Sequence, residues 1–144
     1  YNGLEKGKTK LNKYEKLIMI FPGFREPVGM KIGFKKFCKD FGFSNTVIPE
    51  FKDRKIKKGE VYIIPDDRDL VNVIEKSKQQ DLILGVDFGI ISYNETTLKK
   101  VVENGITTIS TDFVAMGKIL AQMILNGKKE QIENKCTLII RKSL

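Results

Sequence analysis

Histidine and tryptophan are absent from this 144-residue sequence, and cysteine occurs twice. Without histidine there is no Ser-His-Asp or Cys-His catalytic group and no histidine-ligated metal site. The two cysteines, Cys38 and Cys136, are isolated, with no C-x-x-C pair, so a zinc finger is excluded. Isolated cysteines of this kind read as buried, reduced thiols in a reducing compartment. Four prolines and no low-complexity tract argue against a disordered chain. Long apolar runs are also missing. The longest, Leu17-Ile18-Met19-Ile20-Phe21, falls far short of the roughly 20 residues a membrane span needs. The start, Tyr1-Asn2-Gly3-Leu4-Glu5-Lys6, lacks an initiator Met and a signal core, and reads as the middle of a longer chain.

What remains is an ordinary globular composition, 41% apolar and 31% charged. A chain this long forms one domain, or a large piece of one, without disulfide or metal staples. The formal charge of +8 is spread along the sequence. Its densest run, Lys52-Asp53-Arg54-Lys55-Ile56-Lys57-Lys58, has no interleaved aromatics and ends at Gly59. That reads as a solvated connection rather than a nucleic-acid patch.

Periodicity gives an alternation of strands and helices. Leu4, Leu11 and Tyr14 suit an amphipathic helix over residues 2–14. Lys16–Phe21 is a strand buried on both faces, stopped by Pro22-Gly23. Pro27 opens a helix carrying Met30, Phe34, Phe37, Cys38 and Phe41, with Gly42 as its C-terminal cap. Thr46–Ile48 and Val61–Ile64 are the next strands. Asp66-Asp67 can cap a helix whose inner face is Leu70, Val71 and Ile74. Gly89–Tyr93 is a strand, Thr96–Glu103 a short helix, and Ile106–Ile109 a fifth strand. Asp112 then opens a long helix reaching Leu125, and Thr137–Ile140 closes the chain as a strand. Such βαβ units predict an α/β fold, a mainly parallel sheet with helices on both faces.

In such sheets ligands sit at the carboxyl ends of the strands, here the loops after Phe21, Ile64, Tyr93 and Ile109. Pro22–Gly29 reads P-G-F-R-E-P-V-G, with neither a G-x-G-x-x-G fingerprint nor a Walker lysine. Arg25 and Glu26 stand where a polar ligand could be held. Pro65-Asp66-Asp67-Arg68-Asp69 is a carboxylate cluster, suited to capping, ligand binding or acid–base work. Asn94-Glu95-Thr96 formally matches a glycosylation acceptor, with nothing else to suggest secretion. Thr111 and Asp112 compete for the cap of the long helix, and Phe113 is either core or an aromatic platform in a cleft. No nucleophile–base pair or cofactor fingerprint supports an enzyme using Asp66, Asp67 and Glu95.

These four loops, in this order, resemble the effector-binding domain of the lactose/galactose repressor (LacI/GalR) family, which has the periplasmic-sugar-binding-protein fold. Residues 85–95, G-V-D-F-G-I-I-S-Y-N-E, resemble the family's G-x-x-x-x-D-I-x-V-x-G-Y-D-D segment. Residues 106–117, I-T-T-I-S-T-D-F-V-A-M-G, resemble its L-T-T-I-x-Q segment, and the ending Arg141-Lys142-Ser143 is similar to its terminal R-x-S. The wording of residues 92–96 and 106–113 also resembles a Bacteroidetes-type subgroup that joins a GntR-type winged helix to this domain.

The resemblance implies a cytoplasmic bacterial transcription regulator whose DNA-binding headpiece and most of whose first lobe precede Tyr1. Residues 1–105 and 137–144 would form the second lobe, and 106–126 the segment crossing to the first. It implies a homodimer, a sugar or sugar-derivative effector, no cofactor, no metal, no catalysis and no membrane, with DNA bound only through the headpiece. Carried over by position, Asp66 falls at the Asn of the family's N-D pair and Asp67 at its Asp. Asn94 falls at a usual effector-binding Asp, Thr111 at a Gln, and Phe113 where some members place an aromatic against the ligand. Met30 replaces a sugar-binding Arg, for which Arg25 is the nearest substitute. A periplasmic sugar-transport receptor of the same fold is the alternative.

Overall fold

The chain folds around one six-stranded sheet in the order β2-β1-β3-β4-β5-β6. It is seen in a computed structural model that describes residues 1–24 and 26–144. Strands β1 (Lys16–Ile20), β2 (Ser44–Ile48), β3 (Glu60–Ile64), β4 (Gly89–Tyr93) and β5 (Thr107–Thr111) run parallel, and β6 (Cys136–Ile139) pairs antiparallel to β5. The expected α/β architecture is the one observed, with each strand within two residues of its sequence bounds.

Period-two alternation sends the strand side chains to two cores. Leu17, Met19, Val61, Ile63, Ile91 and Ile109 pack under helices α1 (Asn2–Lys6), α2 (Lys8–Leu11) and α3 (Val28–Phe41), against Leu4, Leu11, Phe34 and Phe37. Ile18, Ile20, Tyr62, Ile64 and Ile90 face the other way, onto Leu70, Val73 and Ile74 of α4 (Asp67–Gln79). Gly42 caps α3 with φ +71. Its left-handed conformation is the one glycine adopts without cost.

Several local expectations are corrected. The helix expected over 2–14 is two short helices, broken at Gly7, where a Cβ would press on the Leu138 side chain. On α4 the buried positions are Leu70, Val73, Ile74 and Ser77, spaced at i, i+3, i+4 and i+7. Val71 lies one step, about 100°, around the helix and is exposed. Cys38 is buried, whereas Cys136 is exposed; both are free thiols. Within the lysine-rich run Arg54 turns inward to Glu60 and Tyr62, Lys58 pairs with Asp87, and Ile56 is buried. The fifth strand runs over Thr107–Thr111, two residues further than expected at its end.

Helix α6 (Phe113–Leu125) is the exception to this packing. Asp112 caps it, accepting from the Ala115 amide at 2.9 Å. None of its residues is buried, and Val114, Leu120, Ile124 and Leu125 are each more than half exposed. A helix apolar around so much of its circumference is ordinarily covered on several sides.

Candidate functional site

The parallel strands β1, β3, β4 and β5 deliver their following loops to one rim of the sheet. Asp66 and Asp67 follow β3, Asn94 follows β4, and Thr111 and Phe113 mark the end of β5 and the start of α6. Arg25 lies outside the described residues. Phe24 and Glu26 flank it and, with Pro22, Pro49, Glu50, Lys52, Asp66, Arg68, Asp69 and Asn72, line a cleft of about 430 Å³ at this rim.

Asp66 is the N-cap of α4, its Oδ1 accepting from the Arg68 amide at 2.8 Å. Removing it with Asp66→Ala is expected to cost about 1 kcal/mol, read as a lowered urea midpoint. Asp69 accepts from the Phe51 amide, and burial raises its carboxyl above the ordinary value.

Asp67 and Asn94 are brought together by a residue that the sequence did not single out. Lys99, on the short helix α5 (Thr97–Val101), is 4% exposed. Its Nζ donates to the Tyr93 carbonyl at 2.6 Å and the Asn94 carbonyl at 3.1 Å, and pairs with Asp67 Oδ1 at 2.7 Å. All three ammonium donors therefore have acceptors, so none is left unsatisfied in this buried position. The pin holds the turn in which Asn94 adopts φ +61, with its amide donating to the Ile109 carbonyl.

The same turn is held on its other side. Glu95 receives the Arg141 guanidinium at 2.5 Å (Nη2) and 3.0 Å (Nη1), and its Oε2 also accepts from Thr108 Oγ1 at 2.6 Å. Arg141 Nη1 donates further to the Ile106 carbonyl. The bidentate guanidinium holds the Glu95 carboxyl below the usual range. A depressed folded value means that this stabilisation is fully present above the unfolded pKa of about 4.3 and fades as pH falls through the folded one. The stability difference between the native chain and Glu95→Gln should therefore be constant from pH 7 to 5 and shrink below pH 4, measured by thermal melts.

Thr111 Oγ1 lies 3.8 Å from Cys136 Sγ, Phe113 is 48% exposed beside the rim, and Met30 packs against the α3-side core. Among the described residues no cluster of three His, Cys, Asp or Glu side chains could hold a metal ion. No helix among them is long and apolar enough to cross a membrane.

No family model matches the sequence, and no curated protein matches it. Solved structures do match. A LacI family transcriptional regulator from Bifidobacterium animalis superposes with TM-score 0.79 at 14% identity, covering 96% of this chain and 59% of that one. A probable maltose operon transcriptional repressor from Staphylococcus gives 0.76 at 17% identity, with 96% and 57% covered. A periplasmic binding protein/LacI transcriptional regulator from Alkaliphilus metalliredigens, complexed with D-xylulofuranose, gives 0.74 at 17% identity, with 99% and 62% covered. At these identities the likeness establishes the fold, that of LacI and periplasmic-binding-protein-like domains. The chain spans about three-fifths of the length of these structures.

Proposed function

We propose that this chain is the effector-sensing part of a cytoplasmic bacterial transcription regulator, taking a sugar or sugar derivative at the carboxyl rim of its sheet. What supports this reading is the topology, in which the loops carrying Asp66, Asp67, Asn94, Thr111 and Phe113 follow parallel strands of one sheet, in the fold of regulators of which one holds D-xylulofuranose. The side chains are suited to it. Carboxylates and amides accept and donate to hydroxyl groups, and a half-exposed aromatic ring supports a sugar face. Arg25 would add a cation to the loop after β1.

In this reading residues 1–105 and 137–144 make one lobe, and the 106–126 segment leads toward another. Its first part, Thr107–Thr111, is a strand of the same sheet, and α6 follows it. The bare apolar surface of α6 supports the division. A ligand between lobes would favour one arrangement of them, and a homodimer would pass that preference to headpieces of the winged-helix kind on DNA. A coupling of about 1–3 kcal/mol changes operator affinity by about 5–150-fold. The reaction is binding, with no catalytic step.

The test is operator binding by the intact polypeptide, followed by fluorescence anisotropy, with and without sugars that raise its melting temperature. A sugar that stabilises the protein and shifts operator affinity supports the reading. A sugar that stabilises it without any operator binding favours the transport-receptor alternative. These 144 residues alone should give no sequence-preferring DNA complex, only weak, salt-sensitive binding, because the basic run is held in ion pairs at Lys52, Arg54 and Lys58.

A further inference from the structure

The net charge of +8, spread along the sequence, is gathered by the fold onto one side. Residues 1–13 and 27–42, which form α1, α2, α3 and their ends, carry eight lysines against two carboxylates, Glu5 and Asp40. That is +6 of the +8, on the one helix layer that covers Leu17 and Met19. The rest of the chain is near balance. Many of its cations have carboxylate partners, as Arg54 has Glu60, Lys58 has Asp87, Lys78 has Glu103 and Lys99 has Asp67.

On the layer itself, Lys36 with Asp40 is the one ion pair among the described residues. Two ammonium groups lie instead over rings, Lys8 at 4.2 Å from the centroid of Phe41 and Lys36 at 4.4 Å from that of Tyr1. Both lysines stay exposed, with Lys6, Lys10, Lys35 and Lys39. Lys31, Lys35 and Lys39 recur every four residues on α3, about 6 Å apart along its axis. That is shorter than the screening length of about 8 Å at 0.15 M salt, so neighbouring charges add their fields.

The make-up of this face selects among polyanions. The cores of protein interfaces are poor in lysine and rich in exposed aromatics and arginine. Here Leu4, Leu11, Phe34 and Phe37 are buried beneath the lysines. A lipid surface asks for apolar side chains beside the charges. The exposed apolar residues of this side, Phe24, Val28 and Ile32, lie before and within the first turns of α3, whereas Lys35, Lys36 and Lys39 lie in its last turns. Single strands are held by bases stacked on open rings, and the Tyr1 and Phe41 rings are topped by Lys36 and Lys8. A duplex backbone needs only point charges, and it offers one phosphate per roughly 1.7 Å of its length.

We infer that the outer face of α1, α2 and α3 binds the phosphate backbone of duplex DNA without regard to sequence. This surface is separate from any headpiece and from the effector rim, and it does not depend on the sugar reading.

The experiment is anisotropy titration of the intact polypeptide with a labelled random-sequence duplex, between about 0.05 and 0.2 M salt. The face variant is Lys8→Gln, Lys35→Gln, Lys39→Gln. A control, Lys55→Gln, Lys57→Gln, Lys129→Gln, removes the same charge elsewhere. A headpiece contributes equally to all three proteins, so their differences belong to the substituted surfaces. The slope of log K against log salt should fall by about 0.9 per lost contact in the face variant, roughly 2–3 in all, and stay unchanged in the control. Both variants should melt as the native chain does. A slope that falls equally in both variants overturns the inference, as does an unchanged slope in the face variant or no duplex binding by the native chain at the lowest salt. Phosphatidylserine vesicles are the second probe. Vesicle binding lost in the face variant while its duplex slope stays native would make the partner a membrane and overturn the DNA assignment.

Discussion

Replacing Arg141 with Met should lower the stability of the chain by about 2–3 kcal/mol, the largest loss expected from any single change at the rim. The guanidinium does two jobs. It neutralises Glu95, and it ties the segment after β6 to the turn after β4 and to the Ile106 carbonyl. Methionine keeps the length of the stem and removes every donor. Glu95 is then left four-fifths buried with Thr108 as its remaining side-chain partner. Much of the loss is thus the cost of an uncompensated carboxylate. Glu95→Gln in the Arg141→Met background should recover part of it, because a neutral amide is easier to leave unpaired. Urea denaturation of the two single variants and the double variant gives the coupling energy. Additive effects within about 0.5 kcal/mol would show that the pair is not coupled.

The strands of this fold were legible because short apolar runs bounded by Pro, Gly or Asp leave few alternatives. Leu17–Phe21 and Val61–Ile64 are buried on both faces, as a parallel sheet covered by helices requires. Asp66 and Asp112 were legible as cap-forming types, and each receives an amide hydrogen bond from its own helix. What periodicity missed was decided by tertiary contact. Val71 and Val73 are equally apolar, but Val73 shares the i, i+3, i+4, i+7 stripe of Leu70, Ile74 and Ser77 and Val71 does not. At Gly7, between the two short helices, Leu138, far along the sequence, occupies the space a side chain would need. Lys99 sat among Lys100 and other exposed residues with nothing in its own neighbourhood to mark it. Its burial follows from the carbonyls of Tyr93 and Asn94 turning toward α5, a loop geometry that residue spacing does not encode. Arg141 was noticed only as part of an R-x-S ending, while its partner Glu95 was weighed only as one of three carboxylates of an unsupported enzyme.

Helix α6 leads to the other large effect. In isolation the 144 residues should associate at tens of micromolar, with second copies covering this helix. Phe113, Val114, Leu120, Ile124 and Leu125 are all between 48% and 84% exposed, and Lys118 and Gln122 are the only strongly polar residues between them. Ile132 and Ile140, each 45% exposed, add to the apolar area near the crossing segment. The alternative, a helix folded back over its own sheet as an ordinary layer, is not what the structure has: not one of its residues is buried. Monomeric proteins rarely leave contiguous apolar patches beyond a few hundred Å² in water, because each square ångström covered gains about 25 cal/mol. Covering two large side chains per copy is therefore worth several kcal/mol. Sedimentation velocity reads the outcome. The double variant Leu120→Lys, Ile124→Lys places two charges in the middle of the surface and should shift the distribution toward monomer. It should leave the melting of the sheet unchanged, since neither side chain touches a core. A native chain that sediments as a clean monomer, with the variant indistinguishable from it, would sink the association through α6. Conversely, an intact polypeptide in which Leu120 and Ile124 tolerate lysine without loss of stability would show that no second lobe covers this helix, and the proposed division of the chain would fall with it.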